Sequence, residues 1–257
     1  MPNIRQLLSL KGEFGHLTES EVDAKNFLDK LAIKNGSRTI SKSFSFSERT
    51  LLESLSHISG KPELIKYFEG KPVEKVVLLF IDITNFSSKV GKLSGSDVTN
   101  YLDDYYKAAL AIIYEHGGQV EKLMGDGIIC VFGMPFIDND DWKIKYKLAE
   151  KCAQELIIEF WQSDKEVKIA FHSGDITYYK VPGDYYEEYT MIGKPLTELY
   201  RLESVSVNNS INYYNESVYG KRRQSLTTLD KSVFQPSSFP VDLRGVEYKN
   251  VSYIEII

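Results

Sequence analysis

The run Val76-Val-Leu-Leu-Phe-Ile81, continuing into Asp82-Ile83, is the feature that most constrains this chain. It is far too short to cross a membrane, and its unbroken apolar character is that of a strand covered on both faces. Asp82 sits at the end of this run. Burying a carboxylate there costs on the order of a few kcal/mol unless a cation or hydrogen-bond donors compensate.

Beyond this strand, helical and extended patterns alternate. Val98, Leu102, Tyr105, Tyr106, Ala109, Ile112 and Ile113 recur at helical spacing within Asp97–His116, and Gly117-Gly118 supplies the stop. The apolar runs Val120–Met124 and Ile128–Phe132 flank Gly125-Asp126-Gly127, a hairpin signal. Trp142–Phe160 reads as a second long helix, Val167–Ile176 and Tyr189–Ile192 as strands, Leu196–Leu202 as the start of a third helix, and Val251–Ile256 as a closing strand. The order β-α-β-β-α-β predicts an α+β fold, a ferredoxin-like sandwich with helices over a largely antiparallel sheet. Residues 1–71 read differently. Leu7, Leu8 and Leu10, then Phe27, Leu28 and Leu31, and Leu51, Leu52 and Leu55 within Ser47–Ser59 predict a helical N-terminal extension, leaving 72–257 as the main domain.

With 42% hydrophobic and 26% charged residues over 257 positions, the chain has the usage of an ordinary globule, not of a disordered, fibrous or disulfide-stapled protein. Its formal charge of −5 argues against duplex binding, which needs a basic face. Cys130 and Cys152 form no C-x-x-C pair, and Cys130, inside the apolar run Ile128–Phe132, reads as a buried reduced thiol. Without a signal-like N-terminus or a membrane-length apolar stretch, the expected location is the cytoplasm, with neither nucleic acid nor membrane as partner.

Asp82 and Asp126 are the candidate chemical residues. In this fold the first strand and the hairpin strands are neighbours, so both acids can converge on one sheet edge. Two carboxylates and a strand-end carbonyl, that of Ile83, form a hard oxygen site suited to Mg²⁺ carrying substrate phosphates. The plain alternative is that Asp126-Gly127 is a type I′ turn and Asp82 a loop cap. The segment Ile83-Thr-Asn-Phe86-Ser-Ser is a turn whose backbone N–H groups could cradle a triphosphate.

Four segments then occur in a recognisable order: Leu79-Phe-Ile-Asp82-Ile-Thr-Asn-Phe86-Ser, His116-Gly-Gly-Gln-Val-Glu-Lys122-Leu-Met-Gly-Asp126-Gly, Ile169-Ala-Phe-His172-Ser-Gly174, and Tyr189-Thr190-Met-Ile-Gly193-Lys-Pro-Leu-Thr197-Glu-Leu-Tyr-Arg201-Leu. Together they resemble the class III nucleotide cyclases, the adenylate and guanylate cyclase catalytic domain, from about Val73 onward. The resemblance implies a head-to-tail homodimer with shared active sites, converting a nucleoside triphosphate to a 3′,5′-cyclic nucleotide and pyrophosphate. It implies that Asp82 and Asp126, with the Ile83 carbonyl, bind two Mg²⁺ or Mn²⁺ ions. It further implies that Arg201 from the partner stabilises the transition state, that Lys122 and Thr190 read the base, and that Phe86 lines the substrate site.

Lysine donates and cannot accept, so Lys122 suits adenine N1, cytosine N3 or O2, or a uracil carbonyl. The Lys122/Thr190 pair resembles a pattern of bacterial adenylate cyclases. Guanine-selective members usually place an acid and a small thiol or alcohol there, which disfavours guanine. Thr197 stands where the family has a ribose-orienting asparagine, and Leu199 and Tyr200 replace small residues. The bulkier lining suits a smaller base. With the short N-terminal extension, it resembles the bacterial anti-phage pyrimidine cyclases that make cyclic CMP or cyclic UMP. Val241-Asp-Leu-Arg244-Gly-Val resembles the family's triphosphate-holding segment, with Arg244 the candidate and Lys249 the reserve. The resemblance leaves room for an adenylate cyclase and for a catalytically silent nucleotide-binding module.

Other features read as structural. His172 is expected to be packed, Asp138-Asn-Asp-Asp to be a solvated loop and cap before Trp142, and Lys221-Arg-Arg to be surface. The tyrosine pairs at 105–106, 178–179, 185–186 and 213–214 are expected at a dimer interface.

Overall fold

The computed structural model describes residues 67, 70–91, 93–137, 141–181, 188–229 and 236–256. The expected N-terminal helices lie outside the described residues. The described chain divides into two compact units, one comprising its residues up to Glu74 with Thr177–Ile192, the other Lys75–Ile176 with Gly193–Ile257.

The larger unit is built on β1 (Val73–Ile83), β2 (Gln119–Met124), β3 (Gly127–Phe132) and β4 (Val167–Val181), joined beyond β4 by β6 (Ser210–Tyr214), β8 (Asn250–Glu255) and β7 (Ser237–Pro240). The sheet order is β2-β3-β1-β4-β6-β8-β7, so the first four strands carry the ferredoxin-like order expected. β1 pairs antiparallel with β3 from Val77↔Phe132 to Ile81↔Ile128. Val76 to Ile81 are at most 6% exposed, which bears out the doubly covered strand.

The helices are α1 (Phe86–Val90), α2 (Gly95–Glu115), α3 (Trp142–Phe160), α4 (Lys194–Glu203) and α5 (Val218–Leu229). Ser94 caps α2 by accepting the Asp97 N–H, and Asp141 caps α3 by accepting the Lys143 N–H. The two-residue period of the strands sorts the helices onto two faces. On β4, Phe171 packs on Tyr146 of α3 and Tyr219 of α5, whereas its neighbour His172 turns to Glu198 of α4. On β6, Tyr213 meets Tyr219 while the Tyr214 hydroxyl donates to the Glu198 carbonyl. α2 and α3 pack together. The helices α2, α3 and α5 therefore share one face, and α4 lies on the other.

Cys130 is a buried free thiol and His172 a buried, paired histidine, as the sequence predicts, and Cys152 is a buried free thiol as well. Of the tyrosine pairs, 185–186 lies outside the described residues, and four members of the others need correction. Tyr105, Tyr178, Tyr213 and Tyr214 are at most 1% exposed within this one chain, so they are core rather than interface. Ring area drives them inward: a buried aromatic removes more apolar surface from water than a smaller side chain can.

In the smaller unit, the outer half of β4 pairs antiparallel with β5 (Glu188–Ile192), extending β4 beyond the expected Ile176. Thr190 is half-buried there, opposite Tyr179. The Lys71 ammonium lies 5.6 Å from the Tyr179 ring centroid, and the Tyr178 N–H donates to the Pro72 carbonyl.

Candidate active site

On β1 the alternation that buries Leu79 and Ile81 on one face points Phe80 and Asp82 to the other, the α4 face. Phe80 meets Tyr200 of α4 edge-on at 5.6 Å between centroids, which fixes that assignment. Lys168, four residues before His172 on β4, points the same way. The β2–β3 hairpin closes on two residues, Gly125 and Asp126, between the paired Met124 and Gly127. Of the two, only Gly125 has positive φ (63°). The turn is thus Gly-Asp, not the Asp126-Gly127 type I′ turn offered above as the plain alternative, which needs positive φ at both central residues. The Tyr106 hydroxyl of α2 donates to the Gly125 carbonyl and pins the tip.

This arrangement brings the two acids together. The register that pairs Ile81 with Ile128 sets Asp82 beside the hairpin tip, where Asp126 feels the Asp82 carboxyl and the backbone of Ile83. Partial burial, then the charges of Asp126 and Glu203, push the Asp82 carboxyl up from 3.8 to about 7 against the opposing pull of Lys168. Burial raises Asp126 as well, its hydrogen bonds working the other way. Two neighbouring carboxyls both raised by burial are a pair that a cation would relieve.

Among the described residues no three His, Cys, Asp or Glu side chains form a metal cage. A donor set of two carboxylates and a backbone carbonyl leaves most of an octahedral shell to water and phosphate oxygens, the habit of Mg²⁺ and Mn²⁺. The residues present fit such an ion.

Two further groups join the acids, and both escaped sequence reasoning. Lys168 places Nζ 3.4 Å from Asp82 Oδ2 and 2.7 Å from Glu203 Oε1. A lysine early in an otherwise apolar strand, and a glutamate two residues after Arg201, were the available signals.

The remaining candidates are placed as follows. Thr197 and Arg201, four apart on α4, share its exposed face. Lys122 is exposed on β2, two residues from Met124, whose Sδ accepts from the Tyr200 hydroxyl at 3.7 Å. Of the two bulky replacements, Leu199 is fully buried and only Tyr200, 38% exposed, lines an open surface. Phe86 opens α1, not a plain turn. The Thr84 N–H is taken by the Glu166 carbonyl and those of Ser88 and Lys89 by Asn85, which narrows the expected backbone cradle to positions 85–87. Arg244 is exposed in a turn outside the ion-pair cluster, and Lys249 pairs with Asp242 at 3.3 Å. Thr190 belongs to the smaller unit.

Known proteins share this plan. Receptor-type guanylate cyclase gcy-19 of Caenorhabditis briggsae is 35% identical over 101 residues, 39% of this chain and 8% of that protein. Receptor-type guanylate cyclase gcy-5 of Caenorhabditis elegans is 29% identical over 142 residues, 53% of this chain and 12% of that protein. The chain therefore spans only a small part of these curated relatives. The guanylate cyclase domain of RhGC from Catenaria anguillulae in complex with GTP superposes with a TM-score of 0.56 at 21% identity, covering 71% of this chain and 97% of that one. The adenylyl cyclase CyaB from P. aeruginosa gives 0.55 at 19%, covering 72% and 95%. Both share the fold. The family model for the adenylate and guanylate cyclase catalytic domain matches residues 68–235, most of the sequence, and the chain belongs to that family.

Proposed function

We propose that the chain is a metal-dependent nucleotide cyclase acting as a homodimer, converting a nucleoside triphosphate to its 3′,5′-cyclic monophosphate and pyrophosphate. The observation that carries this reading is the meeting of Asp82 and Asp126 at the end of a buried strand, where burial raises both carboxyls, an arrangement that is costly unless a cation uses it. In the reaction the ribose 3′-oxygen bonds to the α-phosphorus, the α–β anhydride bond breaks, pyrophosphate leaves and the hydroxyl proton passes to water. Divalent cations held by Asp82, Asp126 and the Ile83 carbonyl would supply Lewis acidity and neutralise triphosphate charge.

Arg201 of the partner subunit spreads its delocalised charge over the reacting phosphate. Thr197 on the same face of α4 orients the ribose through its hydroxyl, in place of a carboxamide. Amides near Phe86 meet the triphosphate, Arg244 its tail, and Lys122 with Thr190 the base.

The base we propose is a pyrimidine. Tyr200 extends from α4 to Met124 and so stands beside the Lys122 side of β2, where its ring takes up room a purine would need. A cyclic CMP or cyclic UMP messenger in anti-phage defence is the finer form of this proposal. An adenylate cyclase is the second reading, favoured by the Lys122/Thr190 pair. Purified protein incubated separately with ATP, GTP, CTP and UTP in Mn²⁺, followed by chromatography, decides between them. Cyclic CMP or cyclic UMP is the expected product and cyclic AMP supports the second reading; no cyclic product from any substrate leaves the silent module.

A further inference from the structure

Lys168 stands between the acid pair and the end of α4. Its ammonium lies between Glu203 at 2.7 Å and Asp82 at 3.4 Å, and the three side chains are only 18–21% exposed. The two contacts are unequal. Glu203, the last residue of α4, is the close partner, and Asp82 the distant one. Asp82 lies within β1, one residue from its end, and Glu203 ends α4, so the lysine's flexible stem is the mobile member of the trio.

We propose that Lys168 is a resident counter-ion of the acid pair, which a divalent cation must displace from Asp82 while Glu203 keeps the ammonium tethered nearby. The inference rests on the reading of Asp82 and Asp126 as cation ligands. An ammonium is a compact point charge on a stem that tolerates reorientation, unlike a planar guanidinium locked into two parallel bonds. It can therefore yield Asp82 and remain on Glu203. With Lys168 in place, the three acids Asp82, Asp126 and Glu203 are partly neutralised before any metal arrives, and free-ion binding is weakened accordingly. Removing one positive charge a few ångströms from a divalent ion should tighten its binding by at least about tenfold, even with strong solvent screening.

The test is Mn²⁺ binding to the full-length, nucleotide-free protein, read from the electron paramagnetic resonance signal of the free aquo ion. Lys168→Met should bind Mn²⁺ about tenfold or more tighter than wild type. Glu203→Gln, which frees the ammonium to sit on Asp82, should bind it more weakly; this variant keeps the question open to experiment should Lys168→Met fail to fold. Unchanged or weaker binding by a folded Lys168→Met, or tighter binding by Glu203→Gln, overturns the inference. Asp82→Ala is the separate control. If it leaves Mn²⁺ binding intact, the metal reading itself fails, a result distinct from failure of the counter-ion.

Discussion

Replacing Asp82 with asparagine should stabilise the metal-free protein while abolishing its activity. The carboxyl is pushed up from 3.8 to about 7, so its ionised form is disfavoured, with a ceiling of roughly 4 kcal/mol. That ceiling must be cut, because a fifth of the side chain is exposed to screening solvent and asparagine also gives up the 3.4 Å contact with Lys168. A net gain of about 1–2 kcal/mol remains, a rise in Tm of about 3–6 °C for a domain of this size. The pH dependence follows from linkage. Between 3.8 and about 7 the folded wild type keeps a proton that the unfolded chain has lost, so its stability falls as pH rises through that window and levels off above it. The advantage of Asp82→Asn should thus be small near pH 4 and complete above pH 7. Differential scanning fluorimetry in EDTA reads this directly, and added Mn²⁺ should raise the Tm of wild type at pH 8 but not of the variant. A lower Tm for the variant at pH 8 in EDTA would refute the reasoning, because the carboxylate would then be a structural ion-pair partner and not a strained ligand.

Two further outcomes are expected. Arg201→Ala, on an exposed helix face, should fold normally and lose about two to three orders of magnitude in kcat with little change in KM; mixing it with Asp126→Ala should restore activity from one intact composite site, and no rescue in steady-state assays would exclude shared sites. Tyr200→Ala should raise kcat/KM for ATP relative to CTP and UTP, and an unchanged ratio would remove Tyr200 from base selection.

The fold was legible where burial is two-sided or periodic. Val76–Ile81 and the α2 stripe announce themselves because each residue answers to the same face. The parts that escaped are those whose logic is long-range. The strand Ser210–Tyr214 carries Asn212, whose carboxamide meets the Val207 N–H and the carbonyls of Val207, Ile169 and Ser210. Such a buried polar residue looks like loop until its partners are known. The acids were found from sequence because a carboxylate ending an apolar run is anomalous in itself. Lys168 and Glu203 were not, since each is an ordinary charged residue until folding places them 2.7 Å apart. Leu199 and Tyr200 were indistinguishable as bulky neighbours, and only the helix phase separates the buried one from the open one.

The Phe80 ring carries one last implication, for which substitutions the lineage can tolerate. A methyl group added at Gly127 would come within 2.7 Å of that ring, which also meets Tyr200 edge-on. Drift at position 127 is therefore not local. Any side chain there must shove an aromatic plate that props both the loop bearing one acid and the helix bearing the arginine, so even alanine would act as a lesion of the reaction centre without touching a substrate atom.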